Sequence, residues 1–312
     1  MGKYILKRLI QLVLLLFVVS FIIFFAIHLA PGDPAKMIAG DTATKADVAR
    51  IRNSLGLNEP VVVQYWHYIV NVFHGNLGTS YQNGASVTQE IMTRLPTTAK
   101  LAVSAMLLAL IVGIPLGIIA ALKKNTWIDF TSTSLSLVGV SIPNFWLGTM
   151  LILFFGVYLQ VLPISGVDDH WWTLAGLKQM ILPTITLSAS SAAIIARTTR
   201  SSMLEIIQQD FVRTAKAKGL STREVIVTHE FRNALIPVIT IAGINFGALL
   251  GGAIVTEQVF AINGVGRLLI NAITSRDFPV VEGTVLVIAT IFALVNLLVD
   301  IIYAKVDPRI SY

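Results

Sequence analysis

The amino-acid sequence predicts an all-α membrane protein, a polytopic bundle of six transmembrane helices. Its 312 residues are 55% apolar and only 13% charged, whereas a soluble domain carries about 25% charged residues. The apolar residues fall into runs that approach the roughly 20 residues a membrane-spanning helix needs. Charged clusters separate these runs, and no stretch has the composition of a soluble domain.

Six segments fit a membrane span. Three are continuous, and three are interrupted by proline or polar residues, which a bundle tolerates because neighbouring helices satisfy the freed backbone groups. The continuous spans are Leu9–Ala30, Leu101–Leu122 and Gly283–Ala304, and the interrupted spans are roughly Ser134–Leu159, Lys178–Ala196 and Ile236–Val259.

The placement of lysine and arginine predicts that both termini lie in the cytoplasm, since cytoplasmic loops carry the excess of basic residues. Basic residues precede the first span, and Lys123 and Lys124 follow the second. The short loops on the other side hold only Arg267, Arg276 and, at a span edge, Lys178. The loop between the fourth and fifth spans is strongly basic, with Arg197, Arg200, Arg213, Lys216, Lys218, Arg223 and Arg232.

The long loop after the first span is expected on the outer side. Asp47–Leu55 reads as a short helix that ends at Gly56, and Pro60–Phe73 reads as a second helix with an aromatic face at Gln64–Tyr68. Two interpretations are open: a small packed cap with aromatic residues at the bilayer interface, or a surface that touches a partner. We favour the packed cap for individual residues.

The loop between the fourth and fifth spans predicts a helix, a sharp turn and a second helix. Asp210–Leu220 begins as a helix, and Gly219 suits the left-handed position that follows a helix C-terminus. Ser221 and Glu224 have the spacing of a capping box, which opens a helix through Val225–Leu235 towards the fifth span.

This loop resembles the EAA loop in the dipeptide/oligopeptide/nickel branch of bacterial ABC importer permeases, the binding-protein-dependent transport system inner membrane components. Arg213–Ala215 stands at the Glu-Ala-Ala positions, and Gly219 at the family glycine. His229, Phe231 and Arg232 replace the downstream Ile, Leu and Pro, departures that are typical of the peptide branch. A role carried by the family's glutamate is therefore unsupported here. Further matching motifs are Ala30–Pro34, Leu55–Leu57, Ser141–Phe145, Gly264–Leu269, Arg276–Val280 and Asp307–Arg309.

The resemblance implies the type I ABC importer permease fold, with residues 1–96 as the first transmembrane helix and extracytoplasmic loop. Residues 97–312 would form the core permease domain, with a cytoplasmic coupling loop at about 198–235. That loop would dock in a groove of an ATPase subunit, with apolar anchors at Phe211, Val212, Ala215 and Leu220 inside a charged rim. The implied coupling residues are Phe211, Val212, Arg213, Thr214, Ala215, Lys216, Ala217, Lys218, Gly219 and Leu220. Taken without the resemblance, the basic residues also fit contact with lipid headgroups.

The resemblance also implies the partners. These are a homologous second permease subunit, two cytoplasmic ATPase subunits, an extracytoplasmic solute-binding protein and the lipid of the bacterial plasma membrane.

We expect no cofactor on this chain, because it lacks the G-x-x-x-x-G-K-[ST] phosphate loop; ATP and Mg would be used by partner subunits. We also expect no catalytic residue and no metal site: Asn233 stands where the second histidine of H-E-x-x-H would follow His229 and Glu230. Nucleic-acid binding is not expected, since the sequence shows no basic surface interleaved with aromatic residues.

Polar residues inside spans are candidates for a pathway or gate, because such groups usually face the bundle or a cavity. The candidates are Asn144, Asn245 and Glu257. For Glu257, burial beside a basic neighbour such as Arg267 competes equally with a gating role. Gly243, Gly247 and Gly251 recur every four residues and predict close helix packing.

The resulting hypothesis is an ATP-driven importer permease that moves small peptides by alternating access. Import of glutathione, or of free or chelated nickel, by the same machinery is the alternative, because these importers share the motifs. A secondary transporter or channel is a remote alternative. That class is expected to show inverted repeats or paired broken helices, and the sequence shows no such repeat.

Overall fold

A computed structural model describes residues 2–29, 32–40, 43–167 and 173–306. Ala30, Pro31 and Asp307–Arg309, which belong to two of the matching motifs, lie outside this part. The described residues are helical apart from turns, loops and one isolated β-bridge between Thr79 and Ser86, which confirms the all-α prediction. Helices α1 to α13 are, in order, Gly2–Leu29, Pro34–Ala39, Lys45–Ser54, Val61–Phe73, Val87–Leu122, Trp127–Ser141, Asn144–Leu151, Leu174–Ile207, Asp210–Ala217, Thr222–Glu224, Arg232–Val259, Val265–Thr274 and Phe278–Val306. Two π-helical segments, Ile152–Tyr158 and Val225–Phe231, extend α7 and join α10 to α11.

Five helical stretches are long and apolar enough to cross a membrane, and a bent helix pair makes a sixth candidate. Each predicted span overlaps one of these candidates. The five are Leu6–Leu29, Val87–Leu122, Leu174–Ile207, Thr222–Val259 and Phe278–Val299.

The third predicted span is interrupted, as expected, and consists of two helices. The structure has α6 and α7 here, bent by 102° with respect to each other, and α6 begins at Trp127 rather than near Ser134. Pro143 explains the break, since a proline disfavours helical geometry in the residue before it. Ile142 is accordingly extended, with φ −77° and ψ 125°.

The fifth predicted span lies within a longer helical stretch. That stretch runs from Thr222 to Val259 through the π-helical segment Val225–Phe231, so Ile236 lies inside it. Pro237 also lies within α11. The helix therefore connects the basic loop directly to the apolar span.

The chain divides into two compact units. The cap unit comprises the residues up to Pro96 together with Gly264–Ala293, and the core unit comprises Thr97–Asn263 and the residues from Leu294. Gly264–Ala293 thus belongs to the same unit as the N-terminal residues, although it lies far along the chain; the division at residue 96 into a first helix with its loop and a core permease domain stays a prediction. Sequence order cannot reveal such a return of the chain.

The cap unit contains the two helices predicted for the long loop, as α3 and α4. Tyr65 of α4 packs edge-on against Phe17, Phe21 and Phe24 of α1, and its hydroxyl lies 2.9 Å from Ser20 Oγ. A second link lies before α13, where Asp277 accepts hydrogen bonds from Ser80 Oγ at 2.5 Å and from the Tyr81 amide at 3.0 Å. These contacts support the interpretation of a packed cap.

The core unit is built around α8, which packs against α6, α7 and α11. Close packing at Gly243 is confirmed, since a Cβ there would lie 2.1 Å from Val299 Cγ1. Gly251 does not follow the prediction: no described atom comes within 4 Å of a Cβ at that position. Gly252 makes the close approach instead, with Leu187 Cδ1 at 3.2 Å. At the C-terminal end of the predicted glycine face, the close contact is therefore made by Gly252 rather than by Gly251.

Candidate coupling site and polar residues of the spans

The basic loop folds as predicted into a helix, a turn and a helix. Helix α9 ends before Gly219, whose φ of +78° is a left-handed conformation that glycine adopts without steric cost. Ser221 then caps α10, with its Oγ accepting a hydrogen bond from the Glu224 amide at 3.3 Å. The turn holds two helices at a fixed junction.

The inward face of α9 consists of Val212 and Ala215. These residues lie three positions apart, on one side of the helix, and both are buried against Val225, with Ile206 and Leu220 around them. This corrects their predicted role as anchors for a partner. Their side chains are already covered by the chain itself, and they hold α9 in place.

The outward face of α9 carries one aromatic and several basic side chains. Phe211 is 43% exposed, and Arg213, which lies 3.6 Å from Asp210 of its own helix, is exposed as well. Thr214, Ala217 and Lys218 are also exposed. An exposed aromatic residue inside a basic rim is the arrangement expected of a helix that docks in a groove.

An ion pair joins α9 to the π-helical segment that leads into α11. Lys216 Nζ lies 3.4 Å from Glu230 Oε1, and Glu230 is only 1% exposed. Both residues line a cavity of about 330 Å³ beside the loop. Sequence reasoning read Glu230 only as part of a failed metal motif and missed this pair.

A second ion pair that sequence reasoning missed lies between α6 and α8. Arg200 donates to Asp129 through Nε at 2.5 Å and through Nη2 at 2.9 Å. The Asn125 amide also donates to this carboxylate, at 3.0 Å. Paired bonds of this kind between arginine and a carboxylate are among the stronger polar contacts in proteins. From the sequence, Arg200 is predicted only as one of the basic residues that set the orientation.

The three pathway candidates do not form one cluster. Asn245 donates to the Ile241 carbonyl of its own helix at 2.8 Å, and Glu257, twelve residues further along α11, lies about 18 Å away at 1.5 Å per residue. Glu257 is fully buried and accepts from Thr98 Oγ1 at 2.5 Å. Asn144 begins α7, with its Nδ2 facing Gly252. A pathway or gating role stays a prediction for all three.

Comparison with protein families identifies the chain. The model of the binding-protein-dependent transport system inner membrane component matches residues 113–312, and the N-terminal model of such membrane components matches residues 1–102. The chain belongs to this family of ABC importer permeases. The permease is therefore a transport component, and its several apolar helices are membrane spans.

Two relatives match the permease over its whole length. It is 43% identical over 312 residues to the glutathione transport system permease protein GsiC of Salmonella typhi, covering all of both chains. It is 44% identical over 313 residues to a putative peptide transport system permease protein of Brucella suis, again covering all of both chains.

Solved structures share the fold. Two inward-facing crystal forms of the MetNI methionine ABC transporter match with TM-scores of 0.56 and 0.60, at 19% and 17% identity. Each match covers 70% of the permease, and 96% or 97% of the solved chain. At this identity the likeness establishes the type I importer permease fold alone.

Proposed function

We propose that the permease moves small peptides inward across the bacterial plasma membrane by alternating access, driven by ATP that separate subunits hydrolyse. The observation that carries this proposal is the outward face of α9, held rigidly by the buried Val212 and Ala215. In this proposal an ATPase subunit binds Phe211 and the exposed basic residues around it. ATP and Mg belong to the ATPase, and the permease binds no cofactor of its own.

The connections of α9 explain how movement would reach the spans. It follows α8 directly, and the Lys216–Glu230 pair fastens it to the helix that continues as α11. Helices α8 and α11 pack against each other. A displacement of α9 would therefore be transmitted to two packed spans. The turn at Gly219 is the longest flexible segment between α9 and those spans.

Charge placement supports an orientation with both termini and α9 in the cytoplasm, because the basic loop would otherwise face outward. The partners in this proposal are a homologous second permease, two ATPase subunits on the cytoplasmic face and a solute-binding protein on the outer face. All four are assembly partners that the family's transport systems imply.

The proposed cargo is a small peptide, and glutathione, itself a tripeptide, is the second candidate. The relatives, which are named as glutathione and peptide transport system permease proteins, support both. In this class of importer the binding protein selects the cargo, so its ligand decides between them.

The test uses the complete transporter, reconstituted in proteoliposomes with its partner subunits and binding protein. Labelled dipeptide or glutathione is supplied outside and ATP at the ATPase face. We expect Phe211→Ala to lower ATP-driven uptake at least tenfold, because it removes the exposed aromatic residue of α9. Phe73→Ala, which truncates an exposed phenylalanine in the cap unit, is the matched control and should retain uptake.

Uptake that survives both Phe211→Ala and Arg213→Ala would contradict the coupling role of α9. Uptake by the permease alone, without ATP, would instead favour a secondary transporter or channel. If the binding protein retains neither a dipeptide nor glutathione, the proposed cargo is overturned, but the coupling proposal is unaffected.

A further inference from the structure

The cap unit contains a cavity of about 600 Å³, a size typical of small-molecule sites. We call it the cap cavity. Its wall is formed by the end of α1, the loops around α3, one side of α4, the turn at Leu77–Tyr81 and the first residues of α13. Its polar lining includes His28, Arg52, Gln64, His67, Tyr68 and Glu282.

Four of the ionisable groups on this wall lie in pairs. Arg52 donates to Asp33 at 2.5 Å, and His67 Nδ1 lies 3.4 Å from Glu59 Oε2. Two of the three carboxylates that line the cavity, Asp33 and Glu59, thus have a basic side chain beside them. Glu282 is the third.

Glu282 makes no hydrogen bond or ion pair with any residue in the described part of the chain. It is only 9% exposed and lines the cap cavity. Burial of an unpaired carboxylate is costly, and a cation beside it offsets that cost. The geometry therefore supplies an acceptor for a positively charged group.

Tyr68 provides a second acceptor on the same wall. Its hydroxyl is buried without a hydrogen-bond partner among the described residues, and its ring stacks on Phe24 with centroids 5.7 Å apart. Burial and, to a lesser degree, the charge of Glu282 raise the pKa of Tyr68 above its usual range. The same two influences, joined by the charge of Asp277, raise the pKa of Tyr81 to about 12. Both tyrosines thus remain neutral and complement a cation without adding charge.

We propose that the cap cavity binds the ammonium group of a small organic amine, such as an amino acid or a short peptide with a free N-terminus. The ammonium donates to the Glu282 carboxylate and the Tyr68 hydroxyl, next to the aromatic rings of Tyr68 and Phe24. An organic cation fits better than a metal ion, since no group of three or more His, Cys, Asp or Glu side chains suited to a metal occurs in the described residues. This site lies within the cap unit and does not depend on coupling to an ATPase.

The test measures binding to the purified full-length chain in lipid nanodiscs by isothermal titration calorimetry. Glycylglycine is the probe, and N-acetylglycylglycine, whose ammonium is blocked, is its matched analogue. We expect saturable binding of glycylglycine and at least tenfold weaker binding of the acetylated form, because a hydrogen bond to a charged group contributes about 1.5 to 3 kcal/mol. Ethanolamine, which lacks a carboxylate, should also bind if the ammonium is the group recognised.

Variants assign the binding to this cavity. Glu282→Gln should raise the Kd for glycylglycine at least tenfold, and Tyr68→Phe should raise it about threefold. Glu205→Gln, which neutralises an exposed carboxylate of the core unit, should leave the Kd unchanged. If Glu282→Gln fails to fold, Tyr68→Phe decides the question. An unchanged Kd in the folded variants, equal binding of the acetylated peptide, or no saturable binding of glycylglycine would overturn the proposal.

Discussion

Two regions of the permease each place a buried glutamate on the wall of a cavity, and they treat its charge differently. Beside α9, Glu230 and Lys216 line the same cavity, and the lysine lies 3.4 Å from the carboxylate. In the cap unit, Glu282 lines a larger cavity, and no described residue bonds to it. A carboxylate paired within the chain fastens two elements together, whereas an unpaired one is available to a ligand. Burial alone does not separate these roles; the neighbouring cation does.

Removal of the cation from a buried pair should have the largest effect on stability. Arg200→Met leaves the buried Asp129 carboxylate without its partner, and we expect a loss of about 3 kcal/mol in the free energy of unfolding. This is the lower end of the range for buried pairs, because the Arg200 side chain is 28% exposed. Thermal unfolding of the detergent-solubilised chain measures the loss. Arg197→Met removes an exposed arginine from the same helix and should change the melting temperature little.

The inward and outward faces of α9 should respond differently to truncation. Val212→Ala removes two methyl groups from a fully buried position and should cost about 2 kcal/mol through lost burial and the cavity left behind. Phe211→Ala should change stability by less than about 0.5 kcal/mol, as is usual for exposed positions, although in the proposed mechanism it lowers uptake at least tenfold. Equal destabilisation by the two variants would contradict the assignment of the faces.

Particular residues show how far sequence reasoning reaches. Apolar runs locate the spans, and local signals locate α3, α4 and the turn at Gly219, because each depends on residues close together in the chain. Pro143 indicates a break but not its 102° angle. The Asp129–Arg200 pair joins positions 71 residues apart, so no local pattern reveals it.

Short helices show a further limit. The apolar face of an eight-residue helix such as α9 has the same spacing whether it packs against its own chain or against a partner. Val212 and Ala215 were therefore predicted to lie on the wrong side. A local sequence pattern is equally uninformative for Glu282, because its proposed role depends on the lack of a bonding partner among the described residues.

The backbone turn that follows α9 can be tested independently of the Lys216–Glu230 pair. Gly219→Ala forces a side chain into a left-handed conformation and should cost about 1 to 2 kcal/mol. Space is not the cause, since no described atom lies within 4 Å of a Cβ at Gly219. Gly251→Ala also meets no described atom, but it lies within a helix, where alanine is favoured over glycine by up to about 1 kcal/mol. Opposite signs for the two glycine variants would establish that conformation, rather than crowding, requires Gly219.

The smallest expected effect is also the sharpest test of the contrast between the two glutamates. Glu230→Gln and Glu282→Gln make the same change at two buried positions. The first weakens a charge-assisted contact and should lower the free energy of unfolding by about 1 kcal/mol, a modest loss because Lys216 is half exposed. The second replaces an unpaired buried carboxylate with a neutral amide, which removes a desolvation cost, and should leave the unfolding free energy unchanged or raise it slightly. Thermal unfolding of both variants at pH 7 measures the difference. A larger loss for Glu282→Gln than for Glu230→Gln would mean that Glu282 stabilises the cap unit itself, and the unpaired carboxylate would then no longer argue for a ligand.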